Sequence, residues 1–491
     1  MNVLLVTADQ WRGDCLSCLG HPAVRTPNLD RLAADGVLYA RHFAQATPCG
    51  PSRASLHTGL YALNHRSITN GTPLDARHRT LASLVRAAGL DPVLFGYTDT
   101  SADPRTQPLD SPWLRTYEGV APGFRVELRL PEAEEAYLDH LAARGYGRRS
   151  YEEVYGGGFT APAPFRAEDS VTAFMADRFL GWLDGQGAQS WFAHVAFIRP
   201  HPPFVAPEPW YSAVAPEAVP APVRAVTVEA EGALHPWLAA HLALPVAGTD
   251  RRMLLDGASL ARLRAVYFGL VTEVDHHLGR ILDALARRGA LDSTLVLITA
   301  DHGEMLGDHW MLGKAGFFPQ AFHVPLIARH PDGARGRRVA AFTEHVDLMP
   351  TVLASLGLPV PLQCDGLALS DLLTAQPERT RRPAAFWEHD FRDVVAGTYE
   401  RALGLSSDAC GLATRFDSRH AYVHFAGLPA LCFDVADDPG WLRDLAGRPE
   451  HASTVLAQAQ AMLSWRMLAA ERRLTACALT PAGVVGSYDP L

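Results

Sequence analysis

The residues best suited to chemistry lie in the run Pro48-Cys49-Gly50-Pro51-Ser52-Arg53-Ala54-Ser55-Leu56-His57-Thr58-Gly59. Proline is tolerated in the first turn of a helix, where its missing N–H has no partner to lose, so Pro51 predicts a helix start. Cys49 then stands at the helix N-terminus, where unpaired backbone N–H groups and aligned peptide dipoles favour negative charge. A nucleophile that meets an anionic substrate fits that position. Most free cysteines are small buried hydrophobes, so the thiol alone decides nothing. A C-x5-R thiolate phosphatase is excluded, because Ser55 stands where its arginine would be. Arg53 instead lies one helical turn from Cys49.

Further candidates follow short apolar runs. Asn2 to Thr7 leads into Asp9 and Gln10, Trp191–Ile198 into His201, and Ser293–Thr299 into Asp301, His302, Gly303 and Glu304. Largely apolar runs of this length read as buried parallel strands, and open α/β sheets gather ligand groups at strand carboxyl ends. Prolines 200, 202 and 203 hold His201 in an extended loop. Taken singly, each acid or histidine reads as a turn or helix-cap residue. Together, two carboxylates, an amide oxygen and an imidazole make a divalent metal site, and the mixed O/N donor set leans toward Mn²⁺. Lys314 is the one lysine among 44 Lys and Arg residues. A lysine that survives such a bias deserves suspicion, because its ammonium is a compact point charge with a tunable pKa.

The elements that must position these groups follow from periodicity. Helices are predicted from Thr26, over Thr80–Ala88, Glu168–Leu183, Ser259–Gly289 and Asp347–Leu356. The long one carries Leu260, Leu263, Tyr267, Leu270, Val274 and Leu278 on one face. Strands are expected at Asp91 to Gly96, which delivers Tyr97 and Asp99, and at Val324–Ala328. Residues 101–165 lack sheet periodicity and read as an insertion or lid, helical near Glu132–Ala143; residues 205–250 read as a surface wrap. This is an α/β catalytic domain over 1–374, with a central, mostly parallel sheet flanked by helices. Alternating runs at 385–388, 402–405, 420–425 and 431–434 predict a small antiparallel-sheet subdomain over 375–450. Residues 451–491 read as a helix and a tail that docks on a partner or stays loose.

The chain has 491 residues, 20% of them charged, and a net charge of −9. That balance fits a globular protein and argues against nucleic-acid or acidic-membrane partners, so an anionic substrate must be captured by local cations. Seven cysteines show no disulfide framework, and Cys15-x-x-Cys18 has no second pair to complete a zinc site. With Met1 leading almost directly into a strand and no membrane-length apolar run, the expected location is the cytoplasm.

The spacing Cys49-x-Pro51-x-Arg53, continued to Thr58-Gly59 with His57 in place of the usual Leu, is similar to the signature of formylglycine-dependent sulfatases and phosphonate monoester hydrolases. The resemblance spans nearly the whole chain, through Asn64-His65-Arg66, Arg199 to Phe204 and Asp301 to Glu304, as far as His424-Phe425. Gln10 and His302 stand where ordinary sulfatases carry Asp and Asn, so the chain most resembles the phosphonate monoester hydrolase branch of the alkaline phosphatase superfamily. That resemblance implies an alkaline-phosphatase-like fold and one divalent ion, Mn or Ca. Its ligands would be Asp9, Gln10, Asp301, His302 and Cys49, the last oxidised to formylglycine. It implies that Arg53 holds the aldehyde hydrate, that Lys314 and His201 contact substrate, with His201 the general acid, and that Asn70 and Tyr97 line the pocket. Asp99 falls where the phosphonate enzymes are expected to carry an uncharged Thr, which opens the question of substrate class. His309 would support the ligands. The implied partners are a small anionic ester, a formylglycine-generating enzyme, and further copies of the chain in a homodimer or homotetramer. Two alternatives stay open: a hydrolase with unmodified Cys49, and a non-catalytic binding protein on the same scaffold.

Overall fold

A computed structural model of the chain describes residues 1–244, 254, 256–374 and 382–489. Strand Asn2–Ala8 lies inside an eight-stranded sheet, ordered Arg337–Val339, Val37–Tyr39, Leu326–Arg329, Thr294–Ala300, Asn2–Ala8, Phe192–Phe197, Pro92–Gly96, Arg125–Arg129. All neighbours are parallel except Leu326–Arg329, which runs antiparallel to both of its partners. Alternation along the first strand sends Leu4, Val6 and Ala8 to one face and Val3 and Leu5 to the other, and both faces are buried. Helices Val171–Asp184 and Gly257–Arg287 cover the first face, and Cys49–Thr58, Leu81–Ala87 and Leu348–Ser355 the second. The six apolar residues expected on one face of the long helix are all buried.

Two expectations are corrected. Residues 101–165 do hold helix Glu135–Leu141, but Arg125–Arg129 adds an edge strand to the sheet. Its sequence, Arg-Val-Glu-Leu-Arg, is mostly exposed, so the two-sided apolar signature of an inner strand is missing. In the C-terminal part the strands are Ala385–Asp390, Gly411–Phe416, His420–Phe425 and Leu431–Asp434, paired antiparallel in that order. The run 402–405 closes helix Thr398–Leu403 instead, because Gly404 takes φ +67° as its C-cap.

The small sheet shares a core with the large one. Trp387 stacks on Phe43 with ring centroids 5.4 Å apart, and its indole N–H donates to Phe317 O. The expected boundary at 374/375 abuts residues 375–381, which lie outside the described residues, as does the end of the expected surface wrap. After helix Ala452–Leu468, Cys477–Thr480 and Gly483–Gly486 pair as a hairpin, and Asp489 accepts the backbone N–H groups of Leu362 and Gln363. Among the described residues no helix is long and apolar enough to cross a membrane.

Candidate active site

Four adjacent parallel strands end at one edge of the sheet. Ala8 lies level with Ala300 on one side and Phe197 on the other, so Asp9 and Asp301 emerge side by side. The strand beyond delivers Tyr97 and Asp99. Cys49 is the first residue of helix Cys49–Thr58, every residue of which is buried. Pro48 offers no side-chain cap, and Asn70 supplies one: its Oδ1 accepts from Gly50 N at 2.9 Å. A Cβ at Gly50 would sit 2.9 Å from Asp99 O and 3.1 Å from Asn70 Oδ1, so glycine is what lets the three segments meet.

Ligating atoms of Asp9, Cys49, Asp301 and His302 lie within 4.8 Å of one another, all buried. Asp9 is anchored by one oxygen and presents the other, whereas both oxygens of Asp301 accept hydrogen bonds. Asp9 Oδ2 accepts from Tyr97 OH at 2.7 Å and Arg53 Nη2 at 3.1 Å, while Oδ1 lies 3.7 Å from His302 Nε2. Asp301 Oδ1 accepts the backbone N–H groups of Gln10 and His302, and Oδ2 lies 3.0 Å from Arg53 Nε and 3.7 Å from His302 Nε2. His302 Nδ1 donates to Gly303 O, which leaves the Nε2 lone pair facing the carboxylates. Burial, then Lys314, lowers the imidazole to about 3, so it is neutral.

Asp9 Oδ1, Asp301 Oδ2 and His302 Nε2 therefore face one another, and the Cys49 thiol stands among them, its Sγ 3.2 Å from His302 Nε2. Burial and the neighbouring Asp9 push Asp301 up to about 6. Burial acts on Asp9 too, but its basic neighbours outweigh it and hold that group well below the usual carboxylate range. Repelling carboxylates beside a neutral imidazole are a donor set that a divalent cation satisfies.

Lys314 and Gln10 complete the cluster. Lys314 Nζ lies 3.1 Å from Cys49 Sγ and 2.8 Å from Gln10 Oε1. Burial opposes its charge, but Cys49 first, then the carboxylates Asp9 and Asp301, outweigh burial and hold the proton on. The amide of Gln10 is oriented by Glu304, which accepts from Gln10 Nε2 and from the backbone N–H groups of Leu306 and Gly313. Glu304 thus places both Gln10 and the turn bearing Lys314. Sequence reasoning quoted Glu304 in its motif without giving it a role; its position three residues past Asp301 on a fully buried strand end was the available signal. Tyr267 does more than pack: its hydroxyl donates to Gln10 O at 2.7 Å and accepts from Arg12 N at 3.0 Å, tying the long helix to the Asp9 loop.

The remaining predicted residues fall around this centre. Arg53 commits N–H groups to Asp9, Asp301 and Tyr97 O, and its guanidinium lies over the Tyr97 ring. It balances the carboxylates first. His201 Nδ1 donates to Pro202 O at 2.6 Å, and burial, then Lys314, lowers the ring to about 4. Its Nε2 therefore carries a lone pair in the free site. Asp99 is buried at φ +46°, with Arg53 Nε 4.0 Å from its carboxyl, which makes no hydrogen bond among the described residues. His309 hydrogen-bonds Glu231 and stacks on Phe318 at 3.4 Å between ring centroids; its side chain bonds none of the four cluster residues.

A family profile described as Sulfatase matches residues 1–358. The chain belongs to the sulfatase family. Over 98% of its length, and 98% of the relative's, this sulfatase-family chain is 38% identical to the multifunctional alkaline phosphatase superfamily protein PehA of Trinickia caryophylli. It superposes on the crystal structure of the phosphonate monoester hydrolase of Agrobacterium radiobacter with a TM-score of 0.95 and 46% identity, covering 99% of this chain and 100% of that one. The phosphonate monoester hydrolase of Silicibacter pomeroyi gives a TM-score of 0.94 and 39% identity, with the same coverage.

Proposed function

We propose that this member of the sulfatase family hydrolyses monoanionic esters of tetrahedral acids, phosphonate monoesters and phosphodiesters ahead of aryl sulfates. Cys49, oxidised to formylglycine by a formylglycine-generating enzyme, and one divalent ion would serve the reaction. The observation that carries this reading is the convergence of Asp9, Cys49, Asp301 and His302 within 4.8 Å, with Lys314 Nζ 3.1 Å from Cys49 Sγ. The order of substrates rests on the likeness to phosphonate monoester hydrolases at 46% and 39% identity.

As a thiol, Cys49 is a poor nucleophile. Burial, then Asp9, pushes it well above the usual thiol range, against the pull of Lys314. Asp9 Oδ1, Asp301 Oδ2 and His302 Nε2 would hold the cation beside position 49, with Gln10 Oε1 adjoining. When present, the ion and the oxidised side chain supply an acidified hydroxyl nucleophile and offset charge on the transferred group. The mixed O/N donors favour Mn²⁺ over Ca²⁺. Arg53 keeps both carboxylates ionised and aimed inward, and Tyr97 fixes the rotation of Asp9. Asn70 caps the helix that presents position 49. Lys314 places a buried positive charge for a non-bridging oxygen of the ester. His201 meets the leaving group through Nε2 and takes up a proton there as the anion enters, before passing it on. Free cysteines at all seven positions accord with a cytoplasmic location.

Mass spectrometry of the Cys49 peptide, from protein made beside a formylglycine-generating enzyme, is expected to show thiol converted to aldehyde. Activity should be highest on an aryl phosphonate, vanish on chelation and return with Mn²⁺. Full activity with an unmodified thiol would overturn the reading.

A further inference from the structure

His201 is held from behind by a buried ion pair. Arg199, two residues earlier and 2% exposed, donates through Nη1 to His201 O at 3.0 Å and through Nη2 to Glu134 Oε1 at 3.2 Å. Glu134 is 1% exposed and stands at the start of helix Glu135–Leu141 with φ +51°. Its other oxygen accepts from Tyr155 OH, and the Arg199 guanidinium lies 5.0 Å from the centre of the Tyr155 ring. Glu134 and Tyr155 both belong to the 101–165 insertion. Arginine's planar fork can serve two acceptors in different directions, which lysine's single nitrogen does with far less geometric control.

Simple packing does not require this arrangement. A buried ion pair gains little net stability over apolar residues of the same shape, because both charges must be stripped of water. What such a pair supplies is direction: it specifies where the His201 carbonyl sits relative to the insertion.

We propose that Arg199 is a positioning residue for the leaving-group step, a clamp that fixes the His201 loop to the insertion through Glu134 and Tyr155. The inference rests on the proposed role of His201. With the clamp intact, His201 Nε2 keeps its place at the leaving-group edge while Nδ1 stays bound to Pro202 O. Without it the imidazole drifts, and proton delivery suffers more than attack does. Misplacement of a reacting group by about 1 Å costs on the order of a hundredfold in rate.

The test is a leaving-group series on the mature, metal-loaded enzyme. Arg199→Lys and Glu134→Gln are compared with His201→Gln, on phosphonate esters running from p-nitrophenyl to unactivated alkyl. The expected result is that all three variants lose roughly ten- to a hundredfold more kcat with alkyl esters than with p-nitrophenyl. Adding Arg199→Lys to His201→Gln should cost nothing further. If Arg199→Lys fails to fold, Glu134→Gln, which keeps the bond from Arg199 to His201 O, reads the same dependence. Equal losses across the series in the Arg199 and Glu134 variants, with His201→Gln still selective for alkyl esters, overturn the clamp alone. A uniform loss in His201→Gln itself overturns the role of His201 and the clamp with it.

Discussion

Asp99 shows what a single residue contributes to a site built for anions. Burial raises its carboxyl to about 8, against the pull of Arg53 and with help from Asp9 and Asp301. Below that pH the group is neutral and can donate a hydrogen bond to an ester oxygen. Above it, the group carries a negative charge that would repel an anion bound where the family resemblance implies. A pKa raised in the folded enzyme thus makes activity fall as pH climbs through that value, and a bound cation draws the fall to lower pH. Asp99→Asn removes the titration while keeping a donor. The wild type is expected to lose about tenfold in kcat/KM across the alkaline limb, equivalent to about 1.4 kcal/mol, and Asp99→Asn to stay flat. A pH profile of both proteins on one monoanionic substrate checks this.

At the scale of elements, the long helix Gly257–Arg287 carries its own pH dependence. Glu273 is buried within it, its Oε1 has no hydrogen-bond partner among the described residues, and burial raises its pKa to about 7. The folded state therefore holds a proton that the unfolded chain releases near its ordinary value of 4.5. The stability from this group is fully present below the unfolded value and is lost as pH rises through 7. The whole effect is on the order of 3 kcal/mol. Glu273→Gln should flatten the fall in Tm between pH 5 and 8 and give the higher Tm at pH 8, as thermal melts at several pH values will show. Five of the six inner strands and this helix were legible because each buries a regular apolar pattern; Val37–Tyr39, three residues long, was not. The edge strand Arg125–Arg129 was not, because its partner lies on one side only and its side chains mostly face water.

At the scale of the whole molecule, exposed apolar side chains gather at the C-terminus. Leu463, Met467 and Leu468 on the last helix and Leu479, Val484 and Val485 on the hairpin are at least 49% exposed. A lone two-stranded ribbon is marginal in water, and open uncharged edges invite pairing. We expect this end to contribute to the homodimer or homotetramer proposed from the family resemblance. Leu479→Glu with Val485→Glu should reduce the oligomer by at least one step in light scattering after size exclusion. Unchanged mass would place the contact elsewhere. The carboxyl-end cluster lies on Asp9, Asp301 and their neighbours, so the charged variant should keep its metal content.

By itself the sequence determined the α/β architecture, the helix start at Cys49, and the strand ends that supply Asp9, Gln10, His201, Asp301 and His302. Those features are local: apolar runs, proline and glycine positions, and spacing are written along the chain. Tertiary structure alone decided which oxygen of each carboxylate faces inward and that Arg53 serves both. It also brought Glu304 to Gln10 and Arg199 to Glu134, 65 residues away. Such pairings depend on strand order and on who shares a buried space, and no spacing in the sequence encodes them. Asp99 unites the two kinds of information. Its identity was plain from the start, but only the fold showed that it is buried beside Arg53.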